Sequence, residues 1–153
     1  MKYEETGTQW VSFTLGRELF ACKINKVQEV IPYQAPIPVP GAPDEIEGIL
    51  NVRGEIIPII SGTQIALGTH TSESHDAAQE DHDKDGSIII IESDLGQIGM
   101  TIDSVNEIIQ VSPQSIQYDE VKNSCISGSV LHNNSLIILL DIEPKNFQSQ
   151  AYA

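Results

Sequence analysis

One arginine stands at the tip of a predicted hairpin, where its side chain could bind a carboxylate. In residues 46–60, two apolar runs flank the polar tip Asn51-Val52-Arg53-Gly54. Gly54 can adopt positive φ and Asn51 can hydrogen-bond to its own backbone, so this tip predicts a tight turn. A planar guanidinium can hold a carboxylate through two parallel hydrogen bonds, although most arginines in such turns are simply solvated.

The other residues with catalytic or metal-binding chemistry lack suitable neighbours. The four histidines are His70, His75 and His82 in a polar acidic segment and His132 at a second predicted hairpin tip. Histidines scattered in such a segment bind transition metals only weakly. Phosphate-binding loops, nucleophile elbows, zinc-protease motifs and dinucleotide glycine patterns do not occur. We therefore expect no enzymatic activity and no cofactor.

The two cysteines, Cys22 and Cys125, lie far apart in the sequence and form no CxxC motif. This arrangement favours reduced, buried thiols over a disulfide or a catalytic pair.

Residues 81–92 match the calcium-loop pattern D-x-D-x-D-G-x5-E. The candidate ligands are Asp81, Asp83, Asp85 and Glu92. A calcium loop of this class needs a helix on both sides, whereas the four isoleucines at 88–91 predict a buried strand. Tight calcium binding is therefore not expected, and a calcium-responsive regulator is kept as an alternative function.

The predicted hairpin at residues 46–60 is part of an internal sequence repeat. Residues 46–60 resemble residues 126–140, which aligns Arg53-Gly54 with Asn133-Asn134. Residues 24–31 resemble residues 102–109 in the same order. Two copies indicate a pair of small β units, because a solenoid needs about three repeats or more. Each copy is marginal as an independent core, so the two are expected to fold together.

Alternation of apolar and polar residues predicts strands in both copies. A hairpin is predicted over residues 8–24, and in the strand that follows it, residues 27–31, we expect Val27, Glu29 and Ile31 to share one face. The further expectations are a proline-rich crossover at 32–43, a short helix from Pro43 to about Gly48, a helical turn in 61–68 and a solvated acidic linker at 69–86.

Charge and hydropathy exclude several partners. The 153 residues carry 22 acidic and 8 basic side chains, for a net charge of −14. Nucleic acid and anionic membranes require a cationic face, so neither is an expected partner. The longest apolar runs are far short of the roughly 20 residues that span a bilayer, and the first residues lack a signal-peptide core. We expect a cytoplasmic protein without membrane insertion.

Several segments of both copies resemble the CheW-like family of chemotaxis coupling proteins. They are Val11-Ser-Phe-Thr-Leu, Leu19-Phe-Ala-Cys, Ile24-Asn-Lys-Val-Gln-Glu-Val, Ile46-Glu-Gly-Ile-Leu-Asn-Val-Arg-Gly, Gly99-Met-Thr-Ile-Asp-Ser-Val-Asn-Glu-Ile and Leu136-Ile-Ile-Leu-Leu-Asp-Ile. The resemblance covers about residues 9–145. It implies an all-β fold of two five-stranded SH3-like barrels on a shared core, with short helical turns. The first barrel would span mainly 9–63 and the second mainly 87–144.

The resemblance also implies a scaffold that couples chemoreceptors to the CheA histidine kinase, recruited to membrane-associated receptor arrays. The implied receptor-binding residues are Val30, Ile31, Ile37, Val39, Asn51, Arg53 and Ile108. The implied contacts with the kinase regulatory domain are Val27 and Glu29. The chain departs from the family pattern at Ser61-Gly62-Thr63, where Asp-Leu-Arg is usual, and in its acidic linker. An adaptor of a pilus or surface-sensing array is therefore a second alternative.

Overall fold

The computed structural model describes residues 7–67, 86–94, 96–118 and 125–142. Within these ranges the chain is almost entirely β. The strands are β1 (Thr8–Leu15), β2 (Glu18–Lys23), β3 (Val27–Pro32), β4 (Ile46–Val52), β5 (Glu55–Ser61), β6 (Ser87–Ser93), β7 (Gly96–Ile102), β8 (Ser104–Val111), β9 (Gln117–Tyr118), β10 (Ile126–His132) and β11 (Ser135–Leu140). The helix α1 spans Gly62–Leu67, and single 3-10 turns span Ile24–Lys26 and Pro113–Ser115.

The strands form two sheets with the same internal order. One sheet runs β3-β6-β7-β5-β4, and the other runs β8-β1-β2-β11-β10-β9. When the copies are aligned as the repeat predicts, each strand of the first sheet has its counterpart at the same place in the second. The short edge strand β9 makes the second sheet six-stranded, where five strands were expected. The predicted pair of β units on a shared core is confirmed.

The division of the strands between the sheets differs from the expected one. The hairpin β1–β2 pairs with β8 and with β11 of the second copy, and the hairpin β6–β7 pairs with β3 and with β5 of the first copy. Each sheet therefore combines a hairpin of one copy with the remaining strands of the other. The expected segments 9–63 and 87–144 are not separate barrels, because the copies exchange their first hairpins.

The buried apolar side chains form three clusters. The largest lies between the two sheets and includes Phe13 and Phe20 from one sheet and Ile89 and Met100 from the other. The other two clusters each fill the interior of one sheet. The isoleucine run at 88–91 serves two clusters, because alternate side chains point to opposite faces of β6. This explains why the run is continuously apolar and confirms it as a buried strand.

Two local expectations have different outcomes. The short helix predicted from Pro43 is wrong: a turn closed by the hydrogen bond from Ile46 N to Pro43 O leads directly into β4. The helical turn after β5 is confirmed as α1. The Ser61 Oγ accepts a hydrogen bond from Gln64 N at 3.2 Å, which is the usual capping contact at a helix start. Gly62 is required there, because a Cβ would lie 2.1 Å from Thr101 O.

Candidate functional site

The β4–β5 hairpin presents Arg53 in a tight turn. Arg53 and Gly54 both have positive φ, at 54° and 87°, as expected for a two-residue turn that matches the strand twist. The Asn51 Oδ1 accepts a hydrogen bond from Gly54 N at 2.9 Å. The predicted turn and the backbone contact of Asn51 are therefore confirmed, and Asn51 supports the turn that carries Arg53.

Arg53 forms a bidentate ion pair with Glu29 of β3. The Arg53 Nη1 donates to Glu29 Oε1 at 2.5 Å, and Nη2 donates to Oε2 at 2.8 Å. The Arg53 side chain is 72% exposed and that of Glu29 is 27% exposed. The guanidinium is therefore held in a fixed orientation while most of its surface is accessible to a partner.

The ion pair changes the titration of both groups. The hydrogen bonds from Arg53 lower the pKa of the Glu29 carboxyl below its ordinary value and outweigh the opposing effect of desolvation. The same hydrogen bonds raise the pKa of Arg53. Both charges therefore persist throughout the physiological pH range.

The ion pair joins the two edge strands of one sheet. β3 and β4 are the outer strands of the five-stranded sheet, and Arg53 extends from the turn that follows β4. The contact between Arg53 and Glu29 therefore connects the two edges of the sheet. It also brings together two residues that the sequence resemblance assigned to separate surfaces, one for the receptor and one for the kinase.

Most of the apolar residues predicted for the receptor groove lie on the surface. The exposed fractions are 41% for Val30, 63% for Ile37, 40% for Val39 and 55% for Ile108. Ile37 is held by a single β-bridge to Ile49 of β4. Gly48 permits this close approach, because a Cβ there would lie 2.3 Å from Ile37 O. Side chains of this size are costly to leave in water, so these four are suited to contact a partner.

Val27 and Ile31 are less accessible than the sequence suggested. Both are half-buried, as Glu29 is, but Val27 lies on the opposite face of β3 from Glu29 and Ile31, because the pairing with β6 shifts between Val27 and Glu29. The expectation that the three residues share one face is therefore wrong. Val27 packs against the cluster between the sheets, and Ile31 packs against the interior of its own sheet. The expectation that Val27 is an exposed apolar residue is wrong, because Val27 lies opposite Ile91 and packs against the cluster between the sheets.

Sequence reasoning missed several exposed apolar side chains. They are Ile56, Val105, Tyr118, Leu131 and Leu136. Ile56 pairs with Asn51 beside the Arg53 turn. The internal repeat could have identified Val105, because Val105 aligns with Val27, one of the implied contacts with the kinase regulatory domain.

The described residues give little support to metal binding. Asp81, Asp83 and Asp85 of the calcium-loop pattern, like His70, His75 and His82, lie outside the described residues. Glu92 lies on β6, as predicted, and accepts a hydrogen bond from Gln28 Nε2 at 2.8 Å. No group of three potential metal-ligating side chains occurs in the described ranges. In the same part of the chain, no helix combines the length and apolarity needed to cross a membrane.

Cys22 and Cys125 are buried and not joined by a disulfide, which confirms the predicted state of both. Burial raises the pKa of the Cys22 thiol to about 12, with a further contribution from Asp141. A thiol with so high a pKa is a poor nucleophile.

Comparisons with known proteins agree with this architecture. The family model of the CheW-like domain matches residues 9–145. The chemotaxis protein CheW of Treponema pallidum is 34% identical over 148 residues, which cover 93% of this chain and 83% of that protein. CheW of Klebsiella aerogenes is 27% identical over 92% of this chain and 82% of its own length.

Structural comparison gives the same result. The crystal structure of the scaffolding protein TtCheW from Thermoanaerobacter tengcongensis superposes with a TM-score of 0.74 and 27% sequence identity. The match covers 90% of this chain and 91% of that one. This chain belongs to the CheW-like domain family.

Proposed function

We propose that this chain is a non-catalytic scaffold of a chemotaxis-type signalling system. It binds the cytoplasmic tip of a chemoreceptor and the regulatory domain of a CheA-type histidine kinase, and so couples the two. Membership of the CheW-like family and the fold shared with a scaffolding protein support this role. The proposed location is the cytoplasmic side of a receptor array, to which the protein is recruited by its partners.

The observation that carries the proposal is the bidentate pair between Glu29 and Arg53. It connects the strand assigned to the kinase with the hairpin assigned to the receptor. A receptor group that engages Arg53 therefore acts on the residue that also orients the kinase-facing strand. Two binding surfaces that adjoin at one ion pair are suited to transmit the state of one partner to the other.

The receptor surface combines apolar contacts with one oriented charge. A chemoreceptor tip is a helical hairpin, and a helix binds through an apolar face laid against apolar side chains. Val30, Ile37, Val39 and Ile108 provide exposed side chains for that contact. The guanidinium of Arg53 adds directional hydrogen bonds, which fix the register of the helix. The kinase surface in this proposal comprises Val27 and Glu29.

Neither alternative function is favoured by an observation among the described residues. Glu92 is engaged by Gln28, and no described metal cluster supports calcium regulation. The residues Ser61 and Gly62, which depart from the family pattern, cap and accommodate α1. They do not require a separate function such as a pilus adaptor.

Isothermal titration calorimetry with the isolated receptor tip and the isolated kinase regulatory domain tests the proposal. Arg53→Ala should weaken receptor binding about tenfold or more, which is the loss expected for one charge-assisted hydrogen bond. Arg17→Ala is the matched control, because Arg17 is also an exposed arginine in a hairpin turn, between β1 and β2. It should bind both partners as the wild type does.

The folded state of each variant is checked by circular dichroism and thermal melting. A surface ion pair contributes little to stability, so both variants should melt near the wild type. Failure of the wild-type protein to bind either partner would contradict the proposed function. Unfolding of Arg53→Ala would instead make the arginine a structural element of the turn.

A further inference from the structure

A pocket of about 250 Å³ lies at the junction of two apolar clusters. Trp10 and Leu139 line it from the interior of the second sheet, and Leu140 and Ile142 line it from the cluster between the sheets. Sites for cofactors and drug-sized molecules have volumes of roughly 300–1,000 Å³. This smaller pocket therefore suits one or two side chains of a partner better than a whole cofactor.

The pocket concentrates positive charge in an acidic chain. The described ranges contain four basic residues, Arg17, Lys23, Lys26 and Arg53, and Lys23 and Lys26 both line this pocket. Among the described residues that line it, Asp141 is the one acid, and its Oδ1 lies 3.4 Å from Lys26 Nζ. One positive charge therefore remains uncompensated at the pocket.

That charge belongs to Lys23. Its Nζ lies 5.9 Å from the ring centroid of Trp10, the residue opposite it in the pairing of β1 with β2. No hydrogen bond or ion pair to Lys23 occurs within the described part of the chain. The indole is itself fixed, because its Nε1 donates to Thr8 Oγ1 at 3.0 Å. The ring therefore holds the ammonium in place while its three N–H donors stay free for an anion.

The fold does not require a cation at these positions. With the offset of the internal repeat, Lys23 and Lys26 align with Thr101 and Ser104 in the second copy. Thr101 is engaged within the protein, since its Oγ1 accepts a hydrogen bond from Gly62 N at 3.2 Å. Neutral side chains therefore serve at the equivalent places of the same β unit, and the two lysines are available for binding.

We infer that this pocket holds a segment of a protein partner in which a large apolar side chain stands beside a carboxylate. The apolar side chain packs against Trp10, Leu139 and Ile142, and the carboxylate pairs with Lys23. Tyr118, which is 66% exposed, extends the apolar wall at the rim. The buried apolar side chain supplies most of the affinity, and the ion pair selects acidic partners over basic ones.

Tryptophan fluorescence tests the inference, because Trp10 is the single tryptophan of the chain and lines the pocket. The probe is the capped dipeptide acetyl-Phe-Glu-amide, and its control is acetyl-Phe-Lys-amide, which has a similar size and the opposite charge. The acidic dipeptide should change the fluorescence saturably and bind about tenfold or more tightly than the basic one. Its affinity should fall with rising salt concentration.

Two variants locate the binding site of the probe. Lys23→Gln should weaken binding of the acidic dipeptide about tenfold, the loss expected for one charge-assisted hydrogen bond. Arg17→Gln removes an exposed cation that does not line the pocket and should bind as the wild type does. Both substitutions change exposed residues, so both variants should melt near the wild type.

Equal binding of the two dipeptides, unchanged binding by Lys23→Gln, or no saturable change in the wild type would overturn the inference. Phenylacetate that binds as tightly as the acidic dipeptide would assign the pocket to a small aromatic acid instead. Phe147 is the first large apolar residue beyond Ile142 in the sequence. If the dipeptide binds Phe147→Ala but not the wild type, the chain's own segment fills the pocket and the inference of a partner is wrong.

Discussion

Removal of one buried hydroxyl should destabilise the second sheet by a predictable amount. Ser12 is 2% exposed, and its Oγ makes two hydrogen bonds to the backbone of Glu107. These bonds lie at a bulge in β8, where the pairing of β1 with β8 shifts between Val11 and Phe13. Ser12→Ala removes these bonds without a change of backbone or a large cavity. It leaves Glu107 N without its acceptor, and a polar group so stranded costs about 1–3 kcal/mol. The pairing of β3 with β6 shifts at the equivalent place, where Ile90 stands instead of the serine, so the cost is expected from the unsatisfied amide and not from loss of the bulge.

The loss should be visible in both chemical and thermal unfolding. For a chain of this length, about 1 kcal/mol corresponds to about 2–4 °C in Tm, so Ser12→Ala should melt about 2–12 °C below the wild type. Urea titration followed by tryptophan fluorescence gives the free energy of unfolding independently. Trp10 lies on the same strand and is buried in the interior of that sheet.

Thr14→Val is the matched control for this measurement. The Thr14 hydroxyl also faces β8, where it bonds to Asn106 Oδ1 at 3.1 Å, but that contact is exposed to water. Its removal should change the free energy of unfolding by no more than about 0.5 kcal/mol. If Ser12→Ala costs no more than Thr14→Val, the two buried hydrogen bonds of Ser12 do not stabilise the sheet and the reasoning is refuted.

Two further predictions concern titration and reactivity. In carboxyl NMR titrations, the midpoint of Glu29 should lie below the ordinary value of 4.5, and Arg53→Ala should raise it, because only the opposing effect of desolvation then remains. Because the folded pKa is lowered, the pair's contribution to stability is present above the ordinary pKa and is lost as pH falls through the lowered one. An unchanged midpoint in Arg53→Ala would show that the pair does not form in solution. Cys22 should resist thiol reagents at about pH 8 until the protein unfolds, because burial raises its pKa to about 12. Rapid labelling of Cys22 in the native protein would contradict its burial.

The repeat in the sequence predicted the two sheets and their shared core, but not which strands pair across copies. Equivalent hairpins carry the same alternation of apolar residues. The hairpin β1–β2 could therefore satisfy that pattern with β3 of its own copy or with β8 of the other. The choice depends on tertiary packing, in which Phe13 and Phe20 face Ile89 and Met100 across the common core.

The site was predicted in part. The turn and the exposed arginine follow from Asn51 and Gly54, because these residue types favour the required backbone angles. The partner of Arg53 could not be found in this way. Glu29 lies 24 residues earlier and reaches the arginine only when the two edges of the folded sheet come together. The helix expected after Pro43 failed for a related reason, since pairing with β5 draws Ile46 into a strand.

Receptor-dependent kinase activity in a reconstituted mixture of receptor tip, kinase and this protein is the most direct test of the central claim. If the adjoining surfaces couple the partners through Arg53, the wild type and Arg17→Ala should both support receptor control of kinase autophosphorylation. Arg53→Ala should abolish that control while its melting temperature stays near that of the wild type. Full receptor control by Arg53→Ala, or none by the wild type, would contradict the account.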